Sequence, residues 1–411
     1  MTYLFDDKIS FDNSPNLDAF GRLRTSTPLT LFDSTQRFGK DNNFVESISG
    51  TGSCTYDSNS ATTLLSVSTT SDTVILETKK VFAYQPGKSL FVLRTFCMSN
   101  NNNLIQRIGY FNTNDGIFLE RNNTTINLVK RTSVSGVVDE LRVPKSSWNV
   151  DRLDGSANST NPSGITLDLS VVQIFFMDFE WLGVGTVRCG FVIEGNFIVV
   201  HKFHHANKQA SANNNTQLPY MKTACLPLRN EVQSTGGSGS MRAICSTVLS
   251  EGGYELRGRE KSAGVPLNSP KTLSATNTIF PIMAIRLKAG NLNGIAVPKS
   301  FFTFPIDSGT YQAFVITGNT TGGTWANTGS DSIVEYNLSP TGIFAGNTVK
   351  QITYFSATNQ SSPTINSLDT FKYQLERDPF ANTAVEFILA ASTTTATSPN
   401  MVASINWEEI T

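Results

Sequence analysis

The chain has 411 residues, of which 39% are hydrophobic and only 16% charged. Its 32 Lys and Arg stand against 33 Asp and Glu, so no overall positive field draws nucleic acid or an anionic membrane surface, and both are set aside as partners. The length exceeds what one hydrophobic core usually serves, so two domains are expected; no stretch is apolar over the length of a membrane helix, so no membrane insertion is expected.

Residues 1–52 read as an extended N-terminal arm. Phe5, Phe11, Leu17, Phe20, Leu23, Phe32, Phe38 and Phe44 occur singly among polar and turn-forming neighbours, without a sustained period. Such a segment cannot bury enough apolar surface alone to offset its ordering entropy, so it is expected to lie across another surface. Phe20, Arg22, Leu23 and Arg24 form the candidate partner-binding patch, because two arginines on one side of an extended strand suit a neighbouring subunit's carboxylates or carbonyls. The plainer alternative is a short edge strand packed on its own domain.

Residues 53–257 carry strand signals at short intervals. Ser89 to Cys97 alternates Leu90, Val92 and Arg94 against Phe91 and Leu93; Asp115-Gly116 and Asn122-Asn123 supply hairpin turns; Trp148 introduces a long polar loop. The central meander follows as Val171–Trp181, Thr186–Glu194 and Phe197–His205, with Gly195-Asn196 as a two-residue turn. Val171–Trp181 is so rich in Val, Ile, Phe and Trp that both faces read as at least partly buried, which predicts an inner strand. Residues 258–278 are Pro- and Ser-rich without periodicity and read as a linker, and strands resume over 279–411. No helix is expected in either half. The fold class is therefore all-β: an antiparallel β-sandwich or jelly-roll-like body, an extended N-terminal arm and a second C-terminal β-domain.

The amino terminus, MTYLFDDKIS, lacks the basic head and apolar run of a secretory signal. Cys54, Cys97, Cys189, Cys225 and Cys245 are odd in number and without a CxxC pair, which fits reduced thiols made in a cytosol rather than a disulfide framework.

Candidate chemistry is sparse. His201 and His205 share a strand face and could meet a metal, although no nearby carboxylate or cysteine completes the site, and amphipathic cover is the commoner use of such residues. Asp178 and Glu180 share a face about 7 Å apart, near the spacing of a retaining glycosidase, but Arg188 on the next strand is an obvious structural partner. Asp151 and Asp154 read as turn residues rather than calcium ligands. No phosphate-binding loop, GxSxG elbow or HExxH motif occurs, no cofactor is expected, and the chain reads as non-enzymatic.

The blocks LDAFGRLRTSTPLTLFDS (Leu17 to Ser34), RIGYFNTNDGIFLE (Arg107 to Glu120) and Trp148 to Asn207 together resemble a family of virion structural proteins of tailed phages of marine bacteria, cyanophages included. The resemblance covers roughly Leu17 to Arg229 and implies a structural role in the particle without fixing a location or supplying catalytic residues. The expectation is a tail-associated part (fibre, baseplate component or adaptor), made in the host cytoplasm, docking to other virion proteins through its arm and assembling into a symmetric homo-oligomer. A head decoration or head fibre is the near alternative. The alternative from another class is a host-glycan-binding, lectin-like module, which would place Trp325 or Trp148 on an exposed loop.

Overall fold

The computed structural model describes residues 17–19, 22–25, 27–208, 217–358, 364–366, 372–395 and 397–410. Among them there is no α-helix, only two short 3-10 turns, and every strand pairing is antiparallel. The chain divides into two compact units, the first taking in the chain to Thr78 and Phe82–Tyr254, the second Lys79–Val81 and Glu255–Thr411.

The strands of the first unit are β1 (Leu29–Ser34), β2 (Phe44–Ser49), β3 (Ser53–Asp57), β4 (Thr62–Val67), β5 (Thr73–Thr78), β6 (Leu90–Met98), β7 (Leu104–Phe111), β8 (Gly116–Asn122), β9 (Thr125–Thr132), β10 (Asp139–Pro144), β11 (Gln173–Phe179), β12 (Val187–Ile193), β13 (Asn196–Phe203), β14 (Leu228–Ser234) and β15 (Gly239–Ser250). One sheet runs β13-β12-β11-β6-β15-β4-β3, with β1 also paired to β15; the other runs β10-β9-β8-β7-β14-β5-β2. Their inner faces share one core, as in a jelly-roll-like sandwich. The alternation is visible along β6, where Leu90, Val92, Arg94, Phe96 and Met98 point inward and the residues between them are half-buried.

The meander expected from sequence is β11, β12 and β13, and β11 is an inner strand between β12 and β6. Phe175, Met177 and Phe179 on its inner face are fully buried, each worth about 1.5–3 kcal/mol against exposure. A one-residue slip would exchange them for Phe176 and Asp178, so the register is firmly set. The turn into β13 is Glu194-Gly195, one residue earlier than expected, with φ of 50° and 78°.

Three expectations differ from the structure. The body begins well before residue 53: β1 joins the first sheet, β2 edges the second, and Phe32 packs against Phe44 and Phe82 with ring centroids 5.8 and 5.0 Å apart. The single apolar residues of this stretch succeed because the core receives them one at a time. Trp148 is 2% exposed, donating its indole N–H to the Val143 carbonyl, rather than standing on an exposed loop. The stretch 258–278 is not a bare linker, since Arg259–Gly264 and Lys271–Thr272 both pair with Asn400–Ile410.

The second unit is itself two-sheeted. Asn400–Ile410 lies between Arg259–Gly264 and Ile295–Pro305 in one sheet, while the other runs Trp325–Asn327, Val334–Asn337, Phe280–Leu287, Glu386–Thr393, Gly309–Gly318 and Thr348–Ala357. Its core is built on Ile285, Leu389, Phe301, Ile405 and Trp407.

Candidate functional site

The outer face of the β13-β12-β11-β6-β15 sheet carries the most developed constellation in the first unit. Outward residues of β11 are Ile174, Phe176 and Asp178, alternating with the core residues just named. Phe176 meets Phe91 of β6 and Phe197 of β13 at 5.7 and 5.3 Å between centroids, and Phe91 and Phe197 stand 5.8 Å apart. Gly190 of β12 makes the floor beneath them: a Cβ there would meet the Ile198 carbonyl oxygen at 2.1 Å and Phe176 Cζ at 2.6 Å. Together with Arg24, Arg188 and Glu251 the rings line a groove of about 430 Å³.

At one wall lies a buried ionic knot. Asp178, fully buried, accepts from Arg24 Nη2 at 2.7 Å, from Arg188 Nε at 3.1 Å and Nη2, and from the Ser89 hydroxyl. Arg24 also ion-pairs with Glu251, and its guanidinium carbon sits 4.7 Å from the centre of the Phe91 ring. The Leu17 carbonyl accepts from Arg24 Nε at 3.1 Å and from Arg188 Nη2, so the segment ahead of β1 is strapped to the sheet by guanidinium bonds. Two guanidiniums and two carboxylates balance in charge, which is what permits their burial.

The expected patch on the arm is therefore divided. Arg24 is turned onto its own chain, Arg22 bonds Asp18 while half-exposed, Leu23 is 54% exposed, and Phe20 lies outside the described residues. Arg188 is the partner of Asp178, as the sequence suggested, and with both carboxylate oxygens engaged Asp178 is not placed to act as nucleophile or base. Glu180 lies beyond the end of β11, half-buried, with its carboxyl raised above the ordinary range first by burial.

The histidines do not converge. His201 is buried on the inner face, its Nδ1 accepting from the Asn149 N–H at 3.3 Å and its ring edge-on to Phe203. His205 lies past β13, stacked on Tyr220 at 3.8 Å and 6°, with Nδ1 2.5 Å from the Gly185 carbonyl. Burial pulls the two imidazoles down to about 4 and about 3. Among the described residues no group of three or more His, Cys, Asp or Glu side chains is arranged to hold a metal ion.

In the second unit Trp325 is half-buried rather than open. Arg286 lies over its ring at 3.8 Å and is itself held by Glu335 at 2.7 Å and Glu386 at 3.6 Å. A sugar stacking on that face would first have to displace the guanidinium. Glu386 accepts from the Thr320 N–H and hydroxyl, and burial raises its carboxyl.

Sequence reading missed Phe91, Phe176, Phe197, Ser89 and Glu251. The available signal was an apolar residue on the face opposite the core in each of three strands, which marks a second, outward apolar surface.

No protein-family model matches the chain, and no curated protein matches it. Solved structures similar to it include a protein of unknown function from Shewanella oneidensis MR-1, 10% identical with a TM-score of 0.34 over 57% of this chain and 91% of that one. The carbohydrate recognition domain of Emp47p is 10% identical with a TM-score of 0.32, covering 54% of this chain and 96% of that one. A prokaryotic β-1,3-1,4-glucanase (lichenase) derived from a mouse hindgut metagenome is 10% identical with a TM-score of 0.33, covering 54% and 98%.

Proposed function

We propose that this chain is a non-enzymatic structural component of a tailed-phage virion, tail-associated as a fibre, baseplate part or adaptor, and a symmetric homo-oligomer in the particle. The observation that carries the reading is the strap. Leu17 and Arg24 are pinned to the outer face of the body sheet through Arg188 and Asp178, while Leu23 is 54% exposed. A pinned base with Leu23 turned outward suits a segment that presents itself to a neighbouring virion protein. The resemblance of the Leu17–Ser34, Arg107–Glu120 and Trp148–Asn207 blocks to phage virion proteins supports the same reading, as does Asp178 being locked by Arg188 and Arg24 rather than exposed to a substrate.

The test is mass in solution by light scattering, for the full chain beside one beginning at Leu29, followed by capture of each on disrupted particles. The reading expects the full chain to form a defined oligomer or to bind a particle protein, and the truncated chain to lose one of these. A full chain that is monomeric, binds no particle component and is absent from purified virions on mass spectrometry would sink it.

A second reading, a host-glycan-binding module of the adsorption apparatus, is favoured by the groove. The phenyl face of Phe197 suits the C–H face of a saccharide, and the Arg24, Arg188 and Glu251 groups lining the same groove suit its hydroxyls. A glycan array read with the wild type, Phe197→Ala and Trp325→Ala separates the sites. Signal lost only in Phe197→Ala assigns the groove, signal lost only in Trp325→Ala assigns the second unit, and no signal from the intact oligomer removes the reading.

A further inference from the structure

Arg94 interrupts the inward apolar row of β6 and is 1% exposed, with Phe175 and Ser246 as its cross-strand neighbours. It reaches across the sandwich. Its Nη1 donates to the Gly109 carbonyl at 2.9 Å and its Nη2 to Asn230 Oδ1 at 2.8 Å. Both acceptors are neutral, and no carboxylate among the described residues ion-pairs with it; burial alone draws the guanidinium down to about 9. Two buried donors here have no acceptor among the described residues, Arg94 Nε and Asn230 Nδ2. Nε shares a guanidinium with Nη2, and Nδ2 shares an amide with Oδ1, so the two donors flank one hydrogen bond.

We propose that Arg94 and Asn230 form a buried binding site for a small inorganic monoanion of the halide class, held between the two sheets by Arg94 Nε and Asn230 Nδ2. An uncompensated buried cation is unfavourable, and a halide answers the charge and both donors at once. Water answers only the donors and leaves the guanidinium charge without a counter-charge. A polyatomic oxyanion would bring more oxygens than there are donors, against inward neighbours such as Val92, Phe96 and Val232 that offer none. The site goes beyond the structural reading above and does not depend on it: it ties the two sheets of the body through a bound charge.

The probe is bromide. Crystals of the full chain grown with sodium bromide are expected to show an anomalous peak within hydrogen-bonding reach of Arg94 Nε. Thermal unfolding at matched ionic strength in sodium bromide and in sodium isethionate is expected to separate the salts, the folding constant rising up to about tenfold for each tenfold of bromide above the dissociation constant. Arg94→Met is expected to abolish the difference. An ordered water on Nε with no anomalous signal, together with superimposable salt series for the wild type, overturns the proposal; these two measurements decide it even where Arg94→Met does not fold.

Discussion

Arg188 and Asp178 occupy directly opposed positions on β12 and β11, and Arg188 places both Nε and Nη2 on Asp178 Oδ2, the oxygen that Arg24 also reaches from the segment before β1. One buried carboxylate thus joins a strand pair to a strap. The strap holds its place through charge-assisted bonds rather than apolar area, consistent with a sequence too poor in apolar pattern to anchor itself.

Asp178→Asn removes the charge that two guanidiniums share. Breaking a buried pair from one side costs about 3–5 kcal/mol, because the surviving charges stay buried without compensation. The variant is expected to lose stability in that range in urea, and amide exchange at Asp18 and Arg22, whose N–H groups are hydrogen-bonded, is expected to rise more than in β8. Wild-type stability with unchanged protection of Asp18 and Arg22 would show that Asp178 does not pin the strap.

Two glycines near the groove separate sterics from backbone strain. Gly195 has φ +78° and open space where a Cβ would go, so Gly195→Ala is expected to cost only the left-handed penalty, about 1–2 kcal/mol, with Gly195→Asn milder. Gly190→Ala must push against Phe176 and the Ile198 carbonyl and is expected to cost more while also reshaping the groove. Denaturant midpoints check the order; equal losses at the two positions would contradict the steric account.

Much of the sheet was legible because β structure repeats every two residues. The alternation that placed Arg188 beside Asp178 and made β11 an inner strand needs only a local window and a short turn. Arg24 was harder, since its destination on Asp178 lies in a different part of the chain and no local pattern encodes it. The same holds for the groove, where Phe91, Phe176 and Phe197 come from three strands and become one surface only when β6, β11 and β13 share a sheet. Trp325 looked like a stacking platform because sequence cannot show that Arg286 already covers it.

The buried histidines give a pH signature with a definite sign. In the unfolded chain both imidazoles protonate near 6.5, whereas in the fold burial holds His201 to about 4 and His205 to about 3. As pH falls below about 6.5 the unfolded state takes up protons that the folded state refuses, so stability drops until the folded imidazoles themselves protonate. His201 contributes a slope of at most about 1.4 kcal/mol per pH unit between pH 6 and 4. His201→Gln keeps an acceptor for the Asn149 N–H and is expected to flatten the stability profile in that window by up to this amount. A variant profile parallel to the wild type would rule the assignment out.

The 259–264 strand tests how far charge and polarity disguise a β-edge. Arg259, Glu260 and Lys261 sit opposite Glu409, Glu408 and Trp407, so side chains that read as linker in sequence form part of a ladder whose partner strand supplies the apolar burial. Lys261 and Arg259 both bond Asp331, and Lys299 reaches Glu260, which adds cross-strand and loop contacts on the exposed side. Exposed pairs of this kind are each worth about 0–1 kcal/mol, so the backbone ladder rather than the ion pairs must hold the strand. Amide exchange at near-neutral pH is therefore expected to show protection in 259–264 that survives 0.5 M salt, where pairing by charge would weaken. Exchange within the first seconds throughout 259–264 would return this stretch to the linker that its composition suggests.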